Sequence, residues 1–537
     1  MTGERSALTP PAAPQREPWV YHPCLLAAFP VLSLLSSNAG TAPTMEAVGP
    51  LCVSVGIVAI LYWGARILVR NKHKLGALLS TCVVAFFAYG IVVDAVRRLV
   101  RSREMLGTWH IAAVLLLLIV AGGWIVILLV RTRHSFAPVT HIMNRVALAA
   151  VLIAGGSTAY GKATLRGYAP DTAWQPPAIA PVRDVDPKND PDIYFIVLDS
   201  YARADALKRF FDYDNSAFLS ELRKRGFYVA DEGTSNYCFT VLCLASTLNM
   251  NYVDPAFVVP VHKLKAEGLP VSDMVRHSAV AAFLKQRGYT FVSFATGASA
   301  TEIYNSDLYL SPRFGITEFS KALINLTPIR SMLNRTSFKL SYELCRERIH
   351  FTLDTVESLR RSDGPLFVLA HVIAPHSPHV LDKDGKLPVA QKGAAAAGQT
   401  DGEGMDLLGY RPLVDFRTGY CDSITFLNKR VLEIIDTIRK RSPNAVFIIQ
   451  GDHGSRTINW LYSDEALEAY VADMSHIFNA YGLPGVDTSK AFWPGITPVN
   501  SFRVVLNNYF GTDFPMLDGY TYLTTPNEPD KLITLGP

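Results

Sequence analysis

A chain of 537 residues that is 49% hydrophobic and only 18% charged is too long and too apolar for one ordinary soluble domain. Its formal net charge of +4 is small for that length and gives no reason to expect a nucleic-acid partner. The basic residues instead cluster beside apolar runs, where they report orientation in a membrane.

Apolar runs fall at 23–40, 47–70, 75–95, 110–131 and 143–161, and most approach the roughly 20 residues that cross a hydrocarbon core. Five spans are expected. The first, "CLLAAFPVLSLLSS", contains Pro30 and shares features with a signal-peptide apolar region; the four runs close behind it favour a membrane helix. "RILVRNKHK" and "RTRHS", after the second and fourth runs, belong on the cytoplasmic side, whereas the first loop, "SSNAGTAPTMEA", has no Lys or Arg. That pattern sends the chain beyond residue 161 to the outside. One loop opposes it: "RRLVRSRE" would be external yet carries Arg97, Arg98, Arg101 and Arg103. These arginines read either as a turn at headgroup level or as a contact for anionic lipid phosphate.

"YAPDTAWQPPAIAPVRDVDPKNDP" is rich in proline and lacks hydrophobic periodicity, which marks an extended linker. The expected domains are a transmembrane domain over 1–161, a linker over 162–190 and a soluble domain over 191–537. In the last, "DIYFIVLD" (192–199), "YTFVSFAT" (289–296), "PLFVLAHV" (365–372) and "NAVFIIQGD" (444–452) have the pattern of buried parallel strands. Helix-like stretches such as "CDSITFLNKRVLEIIDTIRKR" separate them, so the class is α/β with the sheet covered on both faces. Residues 383–409, with "KGAAAAGQTDGEG", read as a flexible insertion.

"TVLCLASTLN" (240–249) places Thr240, Cys243 and Ser246 on one face if the stretch is helical, and spacing alone does not choose a nucleophile among them. In an open parallel sheet, ligands gather at the carboxyl ends of the strands. Asp199 closes the first strand in "IVLDSYARAD", His371 closes the third just before "APHSPH", and Asp452 with His453 closes the fourth in "IIQGDHGSR". Taken singly, Asp199 is equally well a helix N-cap, His371 a hydrogen-bonded core histidine and "GDHGSR" a polar turn. Taken together, two carboxylates and an imidazole at strand ends make a ligand set for a divalent metal, with donors suited to Zn2+ or Mn2+. A coordinated hydroxyl would complete it, because coordination supplies a nucleophile near neutral pH.

These stretches resemble the alkaline phosphatase superfamily, in its membrane-anchored, sulfatase-like branch of phosphoethanolamine transferases and lipoteichoic acid synthases. "VLDSYARAD" resembles that family's opening metal strand, "TVLCLAST" its nucleophile helix, "HVIAPHSPH" a transferase segment with paired histidines, and "GDHG" its second metal strand. The resemblance implies an N-terminal bundle of about five transmembrane helices followed by a C-terminal α/β/α alkaline-phosphatase-like domain. It implies a metal held by Asp199, Thr240, Asp452 and His453. Setting the sulfatase pattern Cys-x-Pro-Ser-Arg on this stretch puts its Cys at Thr240, its Pro at Leu242, its Ser at Cys243 and its Arg at Leu244. Thr240 becomes the nucleophile, and the lack of a Cys or Ser there argues against sulfate ester hydrolysis. Cys243 and Ser246 then read as packing residues.

The implied reaction runs through a phospho-threonine. His376 donates a proton to the leaving alcohol or binds the transferred group, and His371, His379 and Arg203 serve substrate binding. The implied donor is a membrane phospholipid, the acceptor a surface glycan or glycolipid, and the transferred group phosphoethanolamine or phosphoglycerol. A hydrolase that passes the group to water uses the same residues, and a non-catalytic surface protein on a decayed enzyme fold is the third reading. The implied location is the bacterial inner (cytoplasmic) membrane, multi-pass, with the catalytic domain on the periplasmic or extracellular side. Of the seven cysteines, Cys24, Cys52 and Cys82 lie in apolar runs, so at most two bridges are available to Cys238, Cys243, Cys345 and Cys421.

The topology is tested with reporter fusions after residue 165: an alkaline-phosphatase fusion is expected to be active there and a fluorescent-protein fusion dark. The opposite pair of results would reverse the orientation.

Overall fold

The computed structural model describes residues 17–38, 44–101, 122–124, 131–132, 135–167, 179, 190–253, 270–298, 300–312, 317–330, 340–361, 364–389, 413–457, 464–524 and 532–536. It divides into two compact units, one holding the N-terminal helices together with Leu323–Arg330 and the other holding the sheet.

The first unit contains α1 (His22–Ser37), α2 (Thr44–Ala65), α3 (Lys72–Arg101) and α4 (Ala137–Gly167). Among the described residues three helices are long and apolar enough to cross a membrane: Thr44–Ala65, Lys72–Ala95 and Ala137–Gly161, with mean hydropathy 1.9, 2.2 and 1.5. Helix α1 has 16 residues. At about 1.5 Å per residue it falls short of a hydrocarbon core of about 30 Å. The fourth expected span, 110–131, lies almost wholly outside the described residues, so three of the five expected spans are seen. The side chains of Arg97, Arg98, Arg101 and Arg103 also lie outside them, as do residues 390–409 of the expected insertion and nearly all of the expected linker after residue 167.

Large apolar side chains such as Ile60, Trp63, Leu152 and Ile153 stand exposed on α2 and α4, as a bilayer-facing surface requires. Polar pairs tie the helices to one another. His22 Nδ1 meets Ser80 Oγ at 2.6 Å, His73 Nδ1 meets Thr140 Oγ1 at 2.9 Å, and the Asn144 side chain accepts from the His22 amide at 3.1 Å. Such bonds matter between membrane helices because apolar packing gains little from surroundings that are equally apolar. Within the same unit Arg330 pairs with Asp94 at 2.8 Å, and the Gly90 amide donates to the Leu326 carbonyl at 2.9 Å.

The second unit is built on a seven-stranded sheet in the order β2-β7-β6-β1-β5-β3-β4. Its strands are β1 (Ile193–Leu198), β2 (Tyr228–Val229), β3 (Thr290–Phe294), β4 (Leu308–Leu310), β5 (Leu366–Val372), β6 (Val446–Gln450) and β7 (Asn479–Gly482). A separate antiparallel hairpin joins β8 (Thr521–Thr524) to β9 (Leu532–Leu535). The four strands expected from sequence are β1, β3, β5 and β6, and each of them pairs in parallel with its neighbour in that set. The sheet as a whole is mixed, because β7 runs antiparallel to β6 and β2 antiparallel to β7. Neither antiparallel strand carries an apolar run: β7 is "NAYG" and β2 only "YV".

Strand β1 lies at the centre with all six residues buried. Its side chains alternate between faces. Tyr194, Ile196 and Leu198 join the core beneath α6 (Leu340–Ser358) and α7 (Phe416–Arg441). Ile193, Phe195 and Val197 join the core beneath α5 (Thr240–Asn249) and α9 (Ser501–Phe510). Helix α7 repeats buried residues at Tyr420, Ile424, Leu427, Val431, Ile434, Ile435 and Ile438, the spacing of one helical face. It starts at Asp415, whose carboxylate accepts from the Thr418 amide at 3.0 Å, and ends on Arg439, Lys440 and Arg441, which suit the negative end of its dipole.

Phe502 of α9 is fully buried and meets the rings of Phe195 and Phe367 edge-on, with centroids 5.3 and 5.9 Å away. Phe502→Ala is expected to destabilise this unit by about 3–5 kcal/mol, read as a lowered midpoint of thermal or denaturant unfolding. A loss below about 1 kcal/mol would mean that α9 does not close this face of the sheet.

Candidate metal centre

Asp199 follows the last residue of β1, Asp452 and His453 follow β6 by one residue, and Thr240 opens α5. Because β1 and β6 are adjacent and parallel, their carboxyl ends deliver the two carboxylates to one place. Asp199, Asp452 and His453 are all buried, and one donor atom from each lies within 4.8 Å of the others.

The hydrogen bonds leave one oxygen of each carboxylate uncommitted. Asp199 Oδ2 lies 3.1 Å from His371 Nε2, and Asp452 Oδ1 accepts from the Ser200 amide at 2.9 Å. Asp199 Oδ1 and Asp452 Oδ2 are buried with no hydrogen-bond partner. His453 Nδ1 lies 2.9 Å from the Gly454 carbonyl, which can only accept, so Nδ1 carries the proton and Nε2 presents its lone pair. That Nε2 sits 3.5 Å from Asp199 Oδ1, 3.4 Å from Asp452 Oδ2 and 3.2 Å from Thr240 Oγ1. Burial pushes His453 below the ordinary histidine value, which favours the neutral ring that a metal needs. Burial also works against the Asp199 charge. The charge of His376 and the hydrogen bond and charge of His371 outweigh it and hold this carboxyl below the usual carboxylate range.

Two anionic oxygens without donors, one imidazole lone pair and one hydroxyl converge at a place with almost no access to water. An unpaired buried carboxylate costs several kcal/mol, and this site holds two. The donor set of oxygen and nitrogen atoms fits a divalent cation such as zinc or manganese.

Several residues without a sequence signal shape this site. Ser200 adopts φ 66, a left-handed backbone that turns its amide toward Asp452. The Tyr420 hydroxyl holds that turn by donating to the Ser200 carbonyl at 2.6 Å and accepting from the Ala202 amide at 3.1 Å. On the other loop, a Cβ at Gly451 would run into the Tyr201 backbone, and one at Gly454 into the Asp473 carbonyl. Only glycine lets these backbones approach so closely. Tyr420 and Asp473 lie on elements distant in sequence, so no local motif reveals them.

The remaining residues expected from sequence are distributed around this centre. Thr240 is half-buried, whereas Cys243 and Ser246 are buried. The Cys243 thiol donates to the Tyr237 carbonyl, and burial raises its pKa well above the ordinary thiol value; the Ser246 hydroxyl donates to the Cys243 carbonyl at 3.0 Å. Among the three, Thr240 is the one that faces His453. The His376 ring lies 6.2 Å from that of His453, and its Nδ1 is 2.6 Å from the Ser377 carbonyl. His371 lies beneath Asp199. His379 packs edge-on against Phe416 at 4.7 Å. Arg203 is engaged by Asp205, His476 and the Gly233 carbonyl. Among the described residues, none of the cysteines is joined in a disulfide.

Asp199→Ala and Asp452→Ala are each expected to abolish stoichiometric metal in the purified protein, measured by elemental analysis. His371→Ala, which keeps every proposed ligand, is expected to weaken metal affinity about 10–100-fold by releasing Asp199. Full occupancy in either aspartate variant would assign the metal to other residues.

No curated protein matches the chain. Among solved structures it is similar to the C-terminal periplasmic domain of EcEptC from Escherichia coli in complex with Zn, at 13% identity over 66% of this chain and 96% of that one, TM-score 0.40. It is also similar to the integral membrane protein lipooligosaccharide phosphoethanolamine transferase A (EptA) from Neisseria meningitidis, at 11% identity over 90% and 95%, TM-score 0.39. A third is the lipoteichoic acid synthase LtaP from Listeria monocytogenes, at 15% identity over 62% and 76%, TM-score 0.33. The sulfatase family model matches residues 191–485, more than half of the chain and inclusive of the strand ends and the helix described above; the chain therefore belongs to the sulfatase family, within the alkaline phosphatase superfamily.

Proposed function

We propose that this protein is a membrane-anchored phosphotransferase that moves a phospho-head group, phosphoethanolamine or phosphoglycerol, from a phospholipid to a surface glycan or glycolipid through Thr240. The observation that carries the reading is the placement of Thr240 Oγ1 at the start of α5, 3.2 Å from His453 Nε2 and beside two carboxylate oxygens that lack donors. Asp199, Asp452 and His453 would hold the cation, with the Thr240 hydroxyl beside them. When bound, a divalent cation lowers the pKa of an adjacent hydroxyl and offsets charge on phosphoryl oxygens.

The chain's own groups complete the chemistry. The first amides of α5, those of Thr240 and Val241, precede its intrahelical bonds and favour an anionic oxygen at the helix start. Thr240 Oγ, whose proton would already have gone to solvent with the cation bound, attacks phosphorus as the alkoxide, the bond to the diacylglycerol oxygen breaks, and protonated His376 gives its Nε2 proton to that oxygen. The later attack by the acceptor releases Thr240 as the alkoxide again. An acceptor hydroxyl then attacks the phospho-threonine, loses its proton to neutral His376 Nε2, and restores Thr240. The proposed arrangement is a transmembrane domain over 1–161, a linker over 162–190 and a catalytic domain over 191–537. The multi-pass anchor sits in the bacterial inner membrane with catalysis on its outer side, where both lipid donor and glycan acceptor are at hand. His371 positions Asp199, and His379 and Arg203 are the proposed substrate contacts.

The test uses lipid vesicles with a labelled head group, the purified full-length protein and a candidate glycolipid acceptor. Diacylglycerol release that requires the acceptor, with Thr240→Ala slowed at least about a thousandfold, is the expected result. Equal release without acceptor would identify a hydrolase, and full activity of Thr240→Ala would exclude both reactions.

A further inference from the structure

The membrane unit is not one continuous stretch of chain. It takes in Leu323–Arg330, a segment that falls between β4 and β5 in sequence and inside the residues that the sulfatase family model matches. Helices α5 to α9, with α8 over Asp464–Ser475, stay with the sheet. The chain therefore leaves the sheet unit at Leu323 and rejoins it at Ser331.

The surface that receives this segment is built on α3. Gly90 and Asp94, four residues apart, share one face of the helix. Tyr89, Gly90 and Val93 are buried there, whereas Ile91, off that face, is 61% exposed. The Gly90 amide donates to the Leu326 carbonyl at 2.9 Å, and a Cβ at Gly90 would run into the Asn325 carbonyl and the Leu326 Cα. Backbone meets backbone at this point, an approach that glycine permits on a membrane helix. One turn further on, Arg330 Nη1 donates to both carboxylate oxygens of Asp94, at 2.8 and 2.9 Å. Asp94 is the one acidic residue of the span Lys72–Ala95, and the Arg330 side chain is only 10% exposed. Ionisable groups in membrane spans are costly, and they persist where a partner meets them.

The segment is braced by its own hydrogen bonds. The Thr327 hydroxyl donates to the Ile324 carbonyl at 2.8 Å and accepts from the Ile329 amide at 3.3 Å. The Thr327 amide donates to the same Ile324 carbonyl at 2.9 Å, and the Arg330 amide donates to the Thr327 carbonyl at 3.2 Å. These bonds close a turn after the short helix Glu318–Asn325 and fix the spacing between the Leu326 carbonyl and Arg330. A shape set before contact lowers the ordering cost of docking.

We propose that Leu323–Arg330 is a latch, which docks on the Gly90–Asp94 face of α3 and fastens the chain beyond residue 167 to the membrane helices at a second point, besides the linker. The occupant of that face is a segment of this same chain. Because the chain already joins the two, docking is intramolecular, and a short contact suffices where a separate peptide of that length would bind weakly. The inference is independent of the phosphotransfer reading.

The test uses the full-length protein in lipid nanodiscs and follows hydrogen exchange of the amides of residues 326–330 by mass spectrometry. It compares the wild type with Asp94→Arg, Gly90→Val, Arg330→Asp and the double reversal of Asp94→Arg with Arg330→Asp. Each single variant is expected to exchange at least about tenfold faster in that segment, since a like charge or an added Cβ opposes docking, with the amides of β1 and β6 unchanged. The double reversal is expected to recover most of the protection, because it restores an opposite pair. Wild-type rates in all the single variants, or a double reversal that exchanges no more slowly than Asp94→Arg alone, would overturn the latch. If the α3 variants do not fold, Arg330→Asp decides, since it leaves every membrane helix unaltered: a wild-type rate there overturns the proposal.

Discussion

Two carboxylates buried at the ends of adjacent strands set the electrostatic problem that the rest of the catalytic unit answers. Asp199 and Asp452 each have one oxygen committed to a donor, His371 in one case and the Ser200 amide in the other. The second oxygen of each is left facing its counterpart with no donor. Bringing two such charges out of water and close together is unfavourable by several kcal/mol unless a positive charge sits between them. A neutral His453 with its lone pair turned inward adds no such charge, and its orientation is that of a ligand.

Holding that arrangement against its own repulsion requires rigid surroundings, and the fold supplies them from several directions. The central strand is buried on both faces, so the position from which Asp199 projects is fixed by packing. Ser200 is held in a left-handed turn by Tyr420 from α7, more than two hundred residues away in sequence. The loop carrying Asp452 passes so close to Tyr201 and Asp473 that glycine is needed on either side of the Asp–His pair. Local strain at Ser200 is thus offset by the core on which its loop rests.

The proposed nucleophile, at the first position of a helix, gains from this rigidity. Thr240 lies where the helix end favours negative charge, and Phe239 before it has extended backbone that ends the preceding loop and starts the turn. Cys243 and Ser246 share its helical face, yet they point into protein, and their hydrogen bonds to the carbonyls of Tyr237 and Cys243 occupy them. Helical periodicity says which side chains share a face; only the depth of each along that face separates a reactive group from a packed one.

Sequence alone determined the features that follow from local composition. The long apolar helices were legible because a bilayer demands length and hydrophobicity together, and the four buried parallel strands because each is a short, continuous apolar run. Asp199, Asp452 and His453 stood out because strand ends are where a parallel sheet gathers ligands. The edge strands β2 and β4 and the inner strand β7 escaped, since such short segments acquire strand geometry only from the neighbours that pair with them. Which carboxylate oxygens lack donors, which histidine lies under Asp199 and which stands beside His453, and how Tyr420 and Asp473 hold the loops of the site were all decided by tertiary structure. Each depends on contacts between residues far apart in the chain, and hydrogen-bond direction and burial exist only once those segments meet.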